Sequence, residues 1–586
     1  MRSESTTRQL KRIAVVALLA LNIAAPTWAG TPGADDRAST AASSASESAK
    51  ETPATNGAPA AEPKPASPVI AELEQLRESV QGQAKLFQEH TQELASERAA
   101  LSEQLNRISA LEAKLGVTPE ASAASDALPS SSSAITPLAQ DTENHPPAAA
   151  PGDSPLSFKI GGAQFTPGGY VDLIGTFRSV NIGSGLTTNL SSIPFNNQLP
   201  AGRLSEFRFN PTGSRVSLKV DANINKSTAV TAYLETDFAG YQPPNTDTTT
   251  NPSSLRLRHY WVQVRNGKWE LLAGQSWSLL TADTSQLSAL PGDVFTANRL
   301  DTSYVAGLIF ARQPGIRVTY HATPWWTIGA SLENPQQFVP SSVVFPGASG
   351  YFAGQFDNGS GSTSGSGATT NTTTPNLHPD IIAKTAFDWK LHDHAFHAEI
   401  GGIARTFRVF NNLETPNTTS TITGGGFVAN INFELFKGFH LITNTGWGDG
   451  IGRYIGALGP DVIVKANGEL SAVHSGSGVA GFQWQLTPNL MVDSYYGGAY
   501  FERNFSVGST STVGFGFPGS ANTNNRSYNQ GTVGLIDTFW SSSTRGKLQF
   551  IAQPAYVVRT PWFVAANAPK NAHVFITYVS LRYLLP

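Results

Sequence analysis

No cysteine occurs anywhere in the 586 residues, so neither a disulfide scaffold nor a thiolate metal cluster is available to this chain. Charge is scarce too. Asp, Glu, Lys and Arg together make 14% of the residues, against about 25% in soluble globular proteins. No stretch reaches 18 uninterrupted apolar residues, which excludes a helical membrane protein. Aromatic residues are nearly missing from the first 157 positions: Trp28 and Phe87 stand alone there, and every other one lies from Phe158 onward. Residues 1–157 carry 12 basic against 19 acidic side chains, and residues 158–586 carry 28 against 24. The body is thus only slightly basic, too weakly charged to bind nucleic acid through bulk electrostatics.

What is present begins with an address. Arg2, Arg8, Lys11 and Arg12 precede the run 13–25, apolar except for Asn22, and Pro26-Thr27-Trp28-Ala29 follows with small residues at the −3 and −1 positions before Gly30. That run is too short to span a bilayer, which takes about 20 residues, and reads as a signal peptide over 1–29. Residues 30–68 offer nothing to bury and read as a disordered linker. Over 69–116 the pattern changes. Leu73, Val80, Phe87, Leu94, Leu101, Ile108 and Leu115 recur at strict intervals of seven, which predicts a left-handed coiled-coil helix, an oligomeric and most simply trimeric stalk in the periplasm. Its other seam positions mix Leu76 and Leu111 with Gln83, His90, Glu97 and Gln104, polar layers able to fix register. Gly116 and Pro119 end it, and residues 117–157 read as a second disordered linker.

Residues 158–586 alternate with a period of two. Val216, Leu218 and Val220 oppose Arg215, Ser217, Lys219 and Asp221; Val230, Ala232 and Leu234 oppose Thr231, Tyr233, Glu235 and Asp237. Ala383, Thr385 and Phe387 alternate with Lys384 and Asp388, and Ile431, Phe433 and Leu435 with Asn430, Asn432 and Glu434. Such strands have one apolar and one polar face. A soluble sandwich would turn the apolar faces inward, a membrane barrel outward to lipid. Export without cysteine, repeated fixed charge on the polar faces, and aromatic pairs near run ends (Tyr260-Trp261, Trp325-Trp326, Tyr495-Tyr496, Trp562-Phe563) favour the barrel. The length of the body predicts an all-β membrane protein with about 16–18 antiparallel transmembrane strands, wide enough for an aqueous lumen. Its longest low-complexity connection, 336–380, suits an extracellular loop. Phe575, Val579, Leu581, Tyr583 and Leu585 share parity in the expected closing strand.

Three stretches, Leu255-Arg-Leu-Arg-His-Tyr260, Leu272-Ala-Gly-Gln-Ser-Trp-Ser278 and Phe310-Ala-Arg-Gln-Pro-Gly-Ile-Arg-Val-Thr-Tyr320, resemble the DcaP-like outer-membrane porins. Beyond them the likeness is one of architecture, across the coiled coil and the barrel. The resemblance implies a trimeric 16-stranded porin in the bacterial outer membrane that takes up dicarboxylic and other small organic acids. One feature departs from outer-membrane barrels generally: they usually end in Phe, and this chain ends Tyr583-Leu-Leu-Pro586.

A porin performs no bond chemistry, so no catalytic residue or cofactor is expected. Selectivity comes from size and from the field of charged side chains along the pore. The stretch 279–301 is unusually long and, by resemblance to trimeric porins, would fold into the lumen. It carries Asp283, Asp293, Arg299 and Asp301. Arg215, Lys219, Arg256, Arg258, Arg312 and Arg317 are the basic candidates for the facing wall, each able instead to form a salt bridge that holds wall or loop. Arginine suits carboxylates because its planar fork bonds them in pairs. Arg256 and Arg258 share parity with Tyr260, Val262 and Val264, a conflict that a bulge or an extracellular position would resolve. His392, His394 and His397 are close in sequence, but strand alternation splits them between faces beside a hairpin end at Asp393, and no metal is expected there. The reading is a passive porin for small organic anions, embedded in outer-membrane lipid. Two alternatives stand beside it: a sugar porin, with a row of aromatics in the lumen, and a structural tether that reaches peptidoglycan through the stalk.

Overall fold

The computed structural model describes residues 154–240, 254–297, 300, 305–347, 351–357, 374–413, 415–509 and 511–586. The signal peptide, both linkers and the coiled coil lie outside these residues, as do Arg299, Asp301 and the Gly/Ser run 359–367.

Sixteen antiparallel strands close into a barrel. In chain order they are β1 (Ala163–Arg178), β2 in two pieces (Glu206–Asn210 and Arg215–Asn223), β3 (Thr228–Asp237), β4 (Arg256–Asn266), β5 (Trp269–Trp277), β6 (Arg312–Thr323), β7 (Trp326–Glu333) and β8 (Asp380–Leu391). Then follow β9 (His394–Asn411), β10 (Thr418–Phe436), β11 (Phe439–Asp449), β12 (His474–Thr487), β13 (Leu490–Phe501), β14 (Asn525–Ser542), β15 (Gly546–Pro561) and β16 (Ala572–Leu584). β16 returns to β1 in register from Tyr170↔Leu584 to Arg178↔Ile576, which leaves no open edge in the wall. Phe158–Ile160 prolongs the line of β16 along the start of β1, and Ser154 Oγ donates to the Pro586 carbonyl at 3.0 Å.

The two ends of the barrel differ. At one end neighbours are joined by tight turns whose residues fit them: Gly267 and Gly438 take positive φ, and the Asn225 carboxamide accepts the Ser227 and Thr228 N–H groups. At the other end the connections are long, with 179–205, 278–311, 334–379, 450–473 and 502–524 the largest. The alternation faces outward as expected. Val171, Leu173, Val216, Leu234, Ile316, Ile381, Ile431 and Leu581 are exposed, while Asp172, Glu235, Lys384, Asn430 and Arg582 are buried inside. An outward aromatic belt runs around the tight-turn end, from Trp269 on Tyr320 (4.6 Å) through Trp325, Trp389 and Phe396 to Phe436, Phe439 and Trp484. The aromatic pairs of the sequence divide between the faces: Trp261 and Tyr495 point inward and are buried, while Tyr260 and Tyr496 are exposed.

A bulge resolves the parity conflict in β4. Glu235 pairs with His259 and Thr236 with Leu257, so Arg258 is skipped in the register and both Arg258 and His259 turn inward. Opposite Trp261 on β5, Gly274 has φ +133, and a Cβ there would collide with the Tyr260 carbonyl oxygen and the Trp261 Cα. Gly274→Ala is expected to lower barrel stability by at least the ~1–3 kcal/mol that such strain costs, read as a fall in the urea midpoint of the folded barrel in lipid vesicles. An unchanged midpoint would show that the close approach of β4 and β5 at Trp261 tolerates a side chain.

Candidate solute pathway

The connection 278–311 leaves β5 at Trp277 and turns into the barrel interior. It folds back on itself: Thr284 N–H donates to the Asp293 carbonyl at 2.7 Å and Phe295 N–H to the Ala282 carbonyl at 2.9 Å. Its sequence explains why it stays inside. Leu279, Leu280, Leu287, Val294, Phe295, Leu300, Val305, Leu308 and Ile309 are buried, in part against Trp261, Leu272, Trp277, Ile442, Val479 and Tyr495, which project from the wall. Burying these side chains removes apolar surface from lumen water, worth about 1.5–3 kcal/mol for each large one.

Polar side chains of the wall then take up the loop's backbone groups one by one. Leu279 N–H donates to Glu333 on β7, Asp283 N–H to Glu399 on β9, and Gln286 N–H to Asp388 on β8. Ile309 N–H donates to Asn444 on β11, Ala306 N–H to Gln530 on β14 and Leu300 N–H to Gln553 on β15. In the other direction Arg317 donates to the Trp277 carbonyl at 2.6 Å, Lys384 to the Thr281 carbonyl at 2.6 Å, and Asn430 to the Asp283 carbonyl at 3.0 Å. The loop thus crosses the interior and is anchored to strands from β6 round to β15, a span that meets the need of its buried backbone for partners.

Facing the loop's Leu290-Pro-Gly-Asp293 turn is a wall made by β16, β1, β2, β3 and β4. Between them lies an open cavity, lined by Tyr170, Arg215, Ser217, Lys219, Tyr233 and Glu235 from the wall and by Leu290, Pro291 and Gly292 from the loop. The wall is a ladder of charge. Arg582 pairs with Asp172 at 2.5 Å, and Tyr170 lies between the guanidiniums of Arg582 (4.2 Å) and Arg215 (5.4 Å). Arg258 reaches Glu235 at 2.6 Å and Asp237 at 2.8 Å; Arg256 reaches Asp237 at 2.6 Å, and Arg215 reaches Glu235 at 3.4 Å. Three guanidiniums therefore share two carboxylates. Arg256 remains about a third exposed, and Lys219, 3.2 Å from Asp221, lines the cavity.

Of the residues singled out in the sequence, Arg215 and Lys219 line this cavity, and Arg256 and Arg258 complete the cluster behind it. Asp293, in the loop's turn, accepts a bond from Ser288 Oγ at 2.6 Å; burial pushes its carboxyl up, while that bond and Lys219 across the cavity oppose the rise. Arg299 and Asp301 lie outside the described residues, and the other three lie elsewhere. Asp283 is buried against Lys384 at 3.0 Å, Arg317 holds the loop from behind, and Arg312 lies over the Trp277 ring at 5.2 Å. Sequence reasoning noted the inward parity of Glu235, Asp237, Lys384 and Asp388 without making them part of a site, and it had no signal for Tyr170, Asp172 or Arg582, which meet only when the barrel closes.

No family model and no curated protein sequence matches the chain. Solved structures do. The crystal structure of the outer membrane channel DcaP of Acinetobacter baumannii is 15% identical and superposes with a TM-score of 0.52 over 73% of this chain and 99% of that one. Pseudomonas putida OprB (10% identity, TM-score 0.41, 72% and 94% of the two chains) and an anion-selective porin from Comamonas acidovorans (10%, 0.40, 72% and 99%) are more distant. The body of this chain has the fold of a closed 16-stranded outer-membrane channel of the DcaP kind.

Proposed function

We propose that the chain is a passive outer-membrane channel for small anionic solutes, with organic and dicarboxylic acids foremost, that works as a homotrimer with its stalk (69–116) in the periplasm. The observation that carries this reading is the basic wall opposite the inserted loop. Arg215, Arg256 and Arg258 exceed their two carboxylates by one charge, and Lys219, itself paired with Asp221 at 3.2 Å, stands at the same cavity. A low-dielectric wall focuses such an excess on the passage and raises the local anion concentration. The DcaP fold supports a channel by analogy of architecture alone. A sugar pathway would require an accessible row of aromatics, and Trp261 and Trp277 are instead covered and 3–5% exposed.

The test is reversal potential across a planar bilayer in a KCl gradient, followed by addition of adipate. Stepwise conductance of anion-selective sign that adipate reduces is the expected result. Inserted protein that carries no current would overturn the channel and leave the cell-wall tether, whose mark is peptidoglycan binding through the stalk. A cation-selective potential would keep the channel and refute the role given to the arginines.

A further inference from the structure

We infer that His397 is the positioning residue of the inserted loop, and that its protonation sets how firmly the loop is held across the passage. The inference rests on the channel reading for its consequence in current, but its geometry is independent of it. Two backbone N–H groups of the loop end on carboxylates of the wall: Asp283 N–H on both oxygens of Glu399, at 3.2 and 3.3 Å, and Gln286 N–H on both oxygens of Asp388, at 3.2 and 3.1 Å. Between these two carboxylates stands the buried ring of His397. Its Nδ1 hydrogen-bonds Asp388 at 2.8 Å, and its Nε2 lies 3.2 Å from Glu399, an ion-pair contact outside hydrogen-bond alignment. A neutral imidazole carries one N–H, so it can serve one of these carboxylates and must turn a lone pair toward the other. Only the imidazolium, with a proton on each nitrogen, faces both productively.

The loop is anchored at a place where it needs holding. Gln286 has φ 52, a left-handed conformation that a residue with a side chain keeps only under external constraint. The groups that face His397 are Asp388 and, through Glu399, Lys384 from β8, Glu399 on its own strand, Asp283 from the loop, and Asn432 from β10. His440 of β11 bonds Asn432 in turn at 2.9 Å and lies 3.9 Å from Glu434. Asp388, Glu399 and Asp283 thus bring three carboxylates to the two cations Lys384 and His397. When the imidazolium gives its proton to solvent, Lys384 alone opposes all three, and the imidazole keeps an N–H for only one of Asp388 and Glu399, so the other loses a partner that orients it toward the loop.

The experiment is single-channel recording of the full chain from about pH 5 to pH 10, with hydrogen exchange of the Asp283–Gln286 amides read in parallel. The wild type is expected to pass, on alkalinisation, into a noisier state of changed conductance. His397→Gln is expected to occupy that state at every pH and to exchange these amides faster than wild type at neutral pH. Asp388→Asn, which removes one of the two anions that favour the imidazolium, moves the transition to lower pH. Identical pH profiles for wild type and His397→Gln, or equal exchange at both amides, would overturn the inference. Protein that carries no current yet shows the exchange difference would refute the channel reading while sustaining the role of His397.

Discussion

Lys384→Met is expected to destabilise the barrel by about 3–5 kcal/mol, the scale for stripping one partner from a buried ion pair, and to raise unitary conductance by freeing the loop. Lys384 is fully buried, and its ammonium contacts the Thr281 carbonyl at 2.6 Å and both Asp283 and Glu399 at 3.0 Å. Burial pushes the Asp283 carboxyl up, Lys384 opposes that rise, and Glu399 adds to it. With the ammonium gone, two buried carboxylates share one pocket without a cation between them, and one must take a proton or the loop must withdraw. The pH dependence has a definite sign. The loss of stability in the variant is largest at neutral and alkaline pH and shrinks as acid neutralises the pair. Adding Asp283→Asn should recover part of the loss, because a neutral amide no longer repels Glu399. Urea midpoints in vesicles and unitary conductance check this together; a variant with both unchanged would show that Lys384 bears no load.

Most of the barrel was legible because its alternation is enforced twice, by lipid on one face and by water or the loop on the other. In β2, β3, β8 and β10 the parity read from Val216, Leu234, Ala383 and Ile431 matches the faces found. The β4 ambiguity was legible as a conflict but not as an answer. The bulge at Arg258 appears in the pairing with β3, which is not visible within residues 255–265. The inserted loop was visible as an overlong connection with three aspartates. Its leucines proved as informative: they explain why it lies inside a lumen whose wall carries Trp261, Trp277 and Tyr495 inward, against simple alternation. Partners that lie far apart in the sequence, Asp172 with Arg582 or Asp388 with the Gln286 N–H, depend on closure and on loop entry, which no local pattern encodes.

The double substitution Arg215→Glu with Lys219→Glu is expected to turn an anion-preferring channel into a cation-preferring one. Both side chains line the cavity opposite the Leu290–Asp293 turn, and neither supports the loop from behind as Arg317 does. Arg215 is one of three guanidiniums around Glu235 and Asp237, so its reversal converts an excess of one positive charge into a deficit: two guanidiniums against three carboxylates. Lys219 faces Asp221 at 3.2 Å and acts on Asp293 across the cavity; its reversal replaces the cation that faces both carboxylates with a third negative charge. A unit charge about 8 Å from a passing ion contributes roughly 2 kcal/mol at an effective dielectric of about 20. Reversing two of them should therefore change the anion-to-cation permeability ratio by more than about tenfold, the factor that about 1.4 kcal/mol provides. The effect should be greatest at low ionic strength and shrink in about 1 M salt, where the Debye length falls to about 3 Å. That salt dependence separates a field effect from a steric one, since a merely narrowed passage would lower conductance for both ions without moving the reversal potential. A reversal potential unmoved by both substitutions at low salt would place the selectivity elsewhere along the loop.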